Sequence, residues 1–260
     1  MNARFTLDNI TLGYDESVIC QSLSLNIPAG EFSVIVGPNA CGKSTLLKAL
    51  ARILKPMSGI ITLNGQALES YKAKEAARTV GLLPQNAIAP EKMLVRDLVA
   101  KGRAPHQSLL KQWSLADAQA VHRAMELTNT LDLADAAVDE LSGGQRQRVW
   151  IAMVLAQDTE TILLDEPTTF LDLKHQIEVL ELCKKLHRDE GRTIVAVLHD
   201  LNQAARYATH LIAMKKGSVQ AQGRPTEVVT QQNIEAIFDL QSEIISDPIT
   251  NTPMVIPYGS

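Results

Sequence analysis

Polar and apolar positions alternate over residues 5–12, 18–27 and 60–68, the last stretch broken by the turn pair Asn64-Gly65. A period of two with one apolar face predicts short antiparallel strands. Residues 161–164 and 193–198 behave differently: they are compact apolar runs without alternation, as in strands buried on both faces of a parallel sheet. Residues 32–36 and 80–84 are further short apolar runs. Between 91 and 157 the β-branched runs largely vanish and a helical spacing takes over, with Val95, Leu98 and Val99 on one face and 116–127 amphipathic. Breaks fall at 102–105 and in the polar stretch before Ser114, an N-cap for a helix beginning at Leu115. A helical run over 173–190 separates the two buried strands. Beyond Leu211 alternation returns, with Lys216-Gly217 as a turn, a capped helical stretch after Pro225 and proline-bounded extended sequence over 247–257.

This order predicts an α/β fold with a mainly parallel core sheet, crossover helices, an antiparallel β subdomain and a helical subdomain. We expect one domain over 1–260, in which 1–90 and 158–260 form the core with the β subdomain and 91–157 forms the helical subdomain. In such a sheet ligands belong at the carboxyl ends of the strands. Those ends carry polar clusters: Gly37 onward, Gln85, Asp165-Glu166 and His199-Asp200.

Bulk properties narrow the chemistry. A net charge of −4 over 260 residues gives no broad basic face, so a nucleic-acid partner is not expected. Cys20, Cys41 and Cys183 are widely spaced, without a C-x-x-C pair, which favours reduced thiols over a disulfide framework. No signal peptide is readable at the N-terminus. The longest apolar runs fall far short of the ~20 residues that span a bilayer, so work at a membrane requires another chain to hold this one there.

The strongest local signal follows the run 32–36. Gly37, Pro38, Asn39, Ala40, Cys41, Gly42, Lys43, Ser44 and Thr45 fit the spacing G-x-x-x-x-G-K-[ST] and precede a helix-forming run over 46–52. In this phosphate-binding loop, main-chain N–H groups and a helix N-terminus surround an anion. Lys43 supplies a point charge for the β- and γ-phosphates, Ser44 a hydroxyl for Mg²⁺, and Thr45 another hydroxyl near the α-phosphate. Alanine at position 40 tolerates a positive φ less well than glycine, so the loop either keeps that position open to a Cβ or accepts some strain. Cys41, beside Lys43 at a helix start, is either an activated thiolate or a buried inert thiol. Tyr14, between the first two strands, either presents its ring to a planar base or sits in the turn with its hydroxyl in water.

Two further clusters extend the chemistry. Asp165 and Glu166 close the run 161–164, on opposite sides of an extended backbone, so one carboxylate can orient Mg²⁺ while the other polarises an attacking water. Leu141, Ser142, Gly143, Gly144 and Gln145 precede a helical run over 146–156, and two glycines at a helix start offer N–H groups to a second anion.

In this order the motifs closely resemble the nucleotide-binding subunits of ATP-binding cassette (ABC) transporters, P-loop NTPases, over essentially the whole chain. The resemblance implies ATP and Mg²⁺ as ligands and an ATPase activity. It makes Tyr14 the adenine-stacking aromatic, residues 37–45 the phosphate loop, Gln85 the glutamine that senses Mg²⁺ and the partner, and 141–145 the signature facing the other subunit's ATP. Asp165 becomes the Mg²⁺ aspartate, Glu166 the catalytic base, Asp172 part of the loop crossing the dimer interface, and His199 the switch histidine at the γ-phosphate. It also implies a head-to-tail homodimer with two composite sites. The other histidines, including His106 and His175, have no metal-ligand spacing and read as surface or packing residues.

Segments outside the catalytic loops narrow the resemblance to the ATPases of ferric-siderophore, haem and vitamin B12 importers: 95–99, Gly102-Arg103 with Pro105-His106, Trp113-Ser114, 168–172 with His175-Gln176, and the ending 247–257. The implied role is an ATP hydrolase on the cytoplasmic face of the cell membrane. It energises a separate permease that receives an iron chelate, or haem or cobalamin, from an extracytoplasmic binding protein. Residues 91–106 and the Gln85 loop are expected to form the permease groove, with Leu98 as an apolar floor and Arg103 and His106 at its edges. A soluble ABC-type ATPase acting on nucleic acid or ribosomes is the rival. It would carry a long coiled-coil insertion or a second cassette, and this chain shows neither. An exporter subunit shares the ATPase motifs, and only the narrower segments speak against it.

Overall fold

A computed structural model describes residues 2–108, 113–169 and 171–259. The chain opens with β1 (Ala3–Tyr14), β2 (Ser17–Pro28), β3 (Phe32–Val36), α1 (Lys43–Leu50), β4 (Ser58–Leu63) and the two-residue β5 (Gln66–Ala67). It continues with α2 (Ala73–Thr79), β6 (Val80–Leu83), α3 (Val95–Lys101), α4 (Leu115–Leu127), α5 (Gly143–Ala156), β7 (Thr161–Asp165) and α6 (Leu173–Glu190). It ends with β8 (Thr193–Val197), α7 (Leu201–Tyr207), β9 (His210–Lys215), β10 (Ser218–Gly223), α8 (Pro225–Val228), α9 (Gln231–Phe238), β11 (Ser242–Ser246) and β12 (Pro253–Pro257). These elements form two compact units, one of Met1–Ser70 with Leu186–Ser260, the other of Tyr71–Lys185.

The first unit holds an antiparallel sheet in the order β2-β1-β4-β5, as the alternation predicts. The alternate residues Phe5, Leu7, Leu23, Leu25 and Ile27 are buried on its inner face. Beside it, β3 lies between β8 and β9 in parallel register, and β10 pairs antiparallel with β9. Every residue of β3 and β8 is buried, which is why neither strand alternates. Each large apolar side chain so buried contributes roughly 1.5–3 kcal/mol. The one hydroxyl in β3, Ser33, hydrogen-bonds His210 Nδ1 at 3.3 Å. Burial holds the His210 pKa below its usual value.

The second unit pairs β6 with β7 in parallel and packs α3 and α4 on α5. Ser114 caps α4 as the sequence predicts: its Oγ accepts from Asp117 N at 3.2 Å while Asp117 Oδ2 accepts from Ser114 N at 2.9 Å. Arg103 does not stand at the edge of a groove, where the sequence suggested it would. Arg103 is buried, donating through Nε to Asp117 Oδ1 at 2.8 Å and through a terminal nitrogen to Ala156 O at 2.7 Å. His106 Nε2 meets Gln157 O at 2.8 Å, and Leu98 and Val99 are buried. The packing role wins at Leu98, Val99 and Arg103, which are buried, and a buried guanidinium is tolerable only with its donors satisfied.

Hydrogen bonds from Ser114 and then from Arg103 depress the Asp117 pKa from 3.8 to about 2. A carboxylate depressed on folding contributes stability that is present above its unfolded pKa and lost as pH falls from about 4 to about 2. Asp117→Asn should therefore destabilise this unit by about 3 kcal/mol at neutral pH, leaving Arg103 buried without its anion. Denaturant melts should show the deficit shrinking towards pH 2. A deficit that persists unchanged there would contradict the charge argument.

Three other parts of the chain differ from what its sequence predicts. α1 starts at Lys43 rather than near residue 46, because the loop delivers the chain directly into helical geometry. The short helices α2 and α7 have too few residues to show a period. The ending is a hairpin whose first strand begins at Ser242, with 247–252 as its turn. Phe170, read as part of a narrower segment, lies outside the described residues, as do 109–112.

Candidate functional site

In the first unit β3 ends at Val36 and the chain wraps through 37–42 into α1. Gly37 has φ +153, and a Cβ there would stand 2.2 Å from Met214 O, so the approach of loop to β9 requires glycine. Gly42 caps α1 at φ +101, where a Cβ would meet Cys20 Sγ at 2.6 Å. Ala40 has φ +60, so the loop accepts strain at that exposed position, about 1–2 kcal/mol for a residue with a Cβ. Pro38 and Asn39 form the outer part of the turn.

Lys43 is 5% exposed, and its ammonium donates to Gly37 O at 2.9 Å and Pro38 O at 2.8 Å. The charge is thus curled into the loop it serves, a geometry suited to an anion enclosed by the same main chain. Thr45 is buried on α1, while Ser44 is partly exposed. Cys41 is buried, and desolvation raises its thiol pKa against the lowering pull of Lys43. The inert-thiol reading therefore prevails over the activated one. Cys20 is pushed up to about 11 and Cys183 to about 12, chiefly by burial, and all three cysteines are free thiols.

Tyr14 closes β1 with 43% of its surface exposed. Lys48 Nζ, in the last turn of α1, lies 5.7 Å from the ring centroid and donates to the hydroxyl at 3.4 Å. The ring is therefore held by a cation, neither buried nor loose in solvent. His199, also exposed, follows β8 and precedes the Asp200 cap of α7.

In the second unit Leu83 of β6 pairs with Leu164 of β7, which brings the residues two places beyond each, Gln85 and Glu166, to the same level. Gln85 Nε2 donates to Glu166 Oε2 at 2.7 Å, and Thr169 Oγ1 donates to the same oxygen at 3.2 Å. Asp165 is the buried last residue of β7. Glu166 has φ +54, so it has left the extended backbone that the sequence suggested. The turn, rather than strand alternation, separates the two carboxylates, and a left-handed glutamate is the kind of local strain that persists at working sites.

The stretch 141–145 starts α5. Ser142 is the N-cap: its Oγ accepts from Gln145 N at 3.3 Å, and Gln145 Oε1 accepts from Ser142 N at 3.0 Å. This capping box leaves Gly143 and Gly144 in the first helical positions, whose N–H groups have no intrahelical acceptor. Leu141 is buried and anchors the approach.

His175, read from sequence as a surface or packing residue, has a more specific place. Its Nδ1 lies 2.7 Å from Asp172 Oδ1, its main-chain N donates to that oxygen at 3.0 Å, and its ring stands 3.4 Å from where a Gly144 Cβ would be. The main-chain N–H of His175, first, and its side chain hold the Asp172 carboxyl below its ordinary pKa. The usable sequence signal was the i, i+3 spacing of Asp172 and His175 at a helix start. Thr169 carried no comparable signal.

Ser44 offers a hydroxyl in the first unit, and Gln85 and Asp165 an amide oxygen and a carboxylate in the second; oxygen donors of these kinds suit a hard cation such as Mg²⁺. Among the described residues no cluster of three or more His, Cys, Asp or Glu could hold a metal by itself.

Residues 20–169 match the family described as ABC transporter. The chain is 52% identical over 257 residues to the ferric enterobactin transport ATP-binding protein FepC of Escherichia coli (strain K12), covering 99% of this chain and 95% of that protein. It is 50% identical over 254 residues to the achromobactin transport ATP-binding protein CbrD of Dickeya dadantii (strain 3937), covering 98% and 94% respectively. A solved dimeric ATP-binding cassette in a post-hydrolysis state, bound to ADP and phosphate, superposes with a TM-score of 0.73 at 28% identity, covering 85% of this chain and 98% of that one. Likeness of this extent, joined to a phosphate loop that encloses its own lysine, shows that the chain belongs to the ABC transporter family and is an ATPase.

Proposed function

We propose that this chain is the ATP-hydrolysing subunit that energises import of a ferric siderophore through a separate membrane permease, at the cytoplasmic face of the membrane. The observation that carries the reading is the 52% identity, over 99% of the chain, to a ferric enterobactin transport ATP-binding protein. No described helix is long and apolar enough to cross a membrane, so the permease must supply the spanning part. Ile88, 88% exposed in the loop after Gln85, is an apolar contact for that permease, whereas Leu98 is not. A binding protein outside the membrane would deliver the chelate.

Two copies face each other head to tail, and each ATP is enclosed by the phosphate loop of one and the signature of the other. Lys43 neutralises the β- and γ-phosphates while the amides of the loop wrap them. The capping box of Ser142 and Gln145 presents the Gly143 and Gly144 amides to the facing copy's γ-phosphate. His199 contacts the γ-phosphate held by the phosphate loop of its own chain, and Tyr14 stacks on the adenine. Ser44, Asp165 and Gln85 would hold Mg²⁺, which would supply charge neutralisation. Glu166 takes the proton of the attacking water, and Gln85 and Thr169 fix the plane of its carboxylate beforehand. Asp172, braced by His175, crosses to the partner, so ATP occupancy at one site is felt at the other.

Deleting the gene in a strain without redundant importers should abolish accumulation of radiolabelled ferric siderophore, with rescue by the wild-type gene. Normal accumulation would overturn the iron assignment and leave the ATPase standing. Retained iron uptake with lost haem or cobalamin uptake would move the cargo within the same importer group.

A further inference from the structure

The hairpin β11–β12 has strands of five residues each, and a two-stranded ribbon of that length is marginal by itself. Asp247 N donates to Thr252 O at 2.8 Å and Tyr258 N to Gln241 O at 3.0 Å. Counting in twos from those pairs, Ile244 and Val255 face each other at a position where the main-chain groups point out of the ribbon. On the β12 side those groups meet a single side chain. Asn202 Oδ1 accepts from Val255 N at 2.7 Å, and Asn202 Nδ2 donates to Val255 O at 3.2 Å. One amide thereby takes the place of a third strand at a bare edge.

One helical turn later, Arg206 donates from Nε at 3.0 Å and from a terminal nitrogen at 2.6 Å to Asp247 Oδ2. The other oxygen of Asp247 organises the hairpin turn, accepting from Ile249 N at 2.8 Å and Thr250 N at 3.2 Å. Asn202 and Arg206 are four residues apart on α7 and so share a face, which packs on β12.

α7 is also the element that follows His199. Asp200 Oδ1 accepts from Asn202 N at 2.8 Å and Gln203 N at 2.9 Å, tying the residue after the histidine into the helix start. On the other side Leu198 N donates to Ile35 O at 3.2 Å, on the strand that leads into the phosphate loop. His199 therefore hangs between two fixed points, one on the phosphate loop's own strand and one on a helix of seven residues. A helix so short has little rigidity of its own and keeps its place through what it is fastened to.

We propose that the C-terminal hairpin is a positioning device for His199: Asn202 and Arg206 fasten α7 to β12 and its turn, and α7 thereby sets where the histidine stands relative to the phosphate loop. The proposal rests on the reading of His199 as the γ-phosphate contact. It gives the ending 247–257 a part in turnover, where packing alone would give it a part only in stability. Phosphoryl transfer depends on placement, and a displacement of about 1 Å costs on the order of a hundredfold in rate.

The test uses the full chain with Asn202→Ala, and Arg206→Met as a second variant in case the first does not fold. Steady-state ATP hydrolysis is measured together with NMR of ring-labelled histidines, the His199 signal among the six being assigned by its loss in His199→Ala. Either variant should lower kcat about tenfold with KM for ATP within about twofold, and should shift or broaden the His199 resonance alone. Unchanged kcat per folded molecule, or a parallel change of kcat and KM with the His199 signal in place, would overturn the proposal. Parental turnover by His199→Ala would instead overturn the reading of His199 on which it rests.

Discussion

Glu166→Gln is expected to lower ATP turnover by about 10²- to 10³-fold while leaving ATP binding intact, because the amide keeps the size of the carboxylate and cannot take a proton from water. The surroundings make this substitution clean. Gln85 Nε2 and Thr169 Oγ1 both donate to Oε2 of Glu166, and an amide oxygen can accept from both, so the turn at φ +54 has no reason to rearrange. Single-turnover hydrolysis and equilibrium nucleotide binding on the same preparation separate the two effects. Turnover within a few-fold of the parent would remove Glu166 from the base role. A parallel loss of binding would point to a collapsed turn, and Thr169→Val should then reproduce it.

Lys43→Ala is expected to act on binding itself. A buried ammonium aimed into a main-chain loop makes charge-assisted hydrogen bonds worth about 1.5–3 kcal/mol each, so ATP affinity should fall by roughly 10- to 100-fold. The loss has a second source. Gly37 O and Pro38 O now receive the lysine at 2.9 and 2.8 Å, and its removal leaves the loop without its internal brace. Lys43→Arg should not rescue, since a planar fork cannot point both at those carbonyls and at phosphate from a site that is 5% exposed. Calorimetric titration with ATP decides, and unchanged affinity would contradict the role of the lysine.

Much of this site was legible in the sequence because its chemistry is carried by contiguous residues. Residues 37–45 and 141–145 are each a short run leading into a helix and 165–166 closes a strand, and the spacing within a run survives any tertiary arrangement. The sheets were legible for a related reason: alternation marks β1 and β2, which bury one face, and its absence marks β3 and β8, which bury both. The parts that escaped depend on partners distant in sequence. Arg103 reads as the polar edge of a groove until Asp117 and Ala156 O are brought to it. Asn202 and Arg206 carry no signal in the sequence until Val255 and Asp247 arrive from the far end of the chain. Cys41 was open because two opposing effects act on one thiol, and only burial decides which is larger. The positive φ of Glu166 has no sequence signature, since glutamate is not a residue that favours it.

In the proposed dimer one copy cannot complete a site, because Lys43 and the signature glycines of the same chain serve different ATP molecules. Sedimentation of Glu166→Gln with and without Mg-ATP tests this most directly. With Mg-ATP the mass should rise to twice the 28.4 kDa of one chain, and the rise should vanish when Gly143→Asp is added. A species that stays at 28.4 kDa while binding ATP with parental affinity, or a doubling that survives Gly143→Asp, would contradict the composite site.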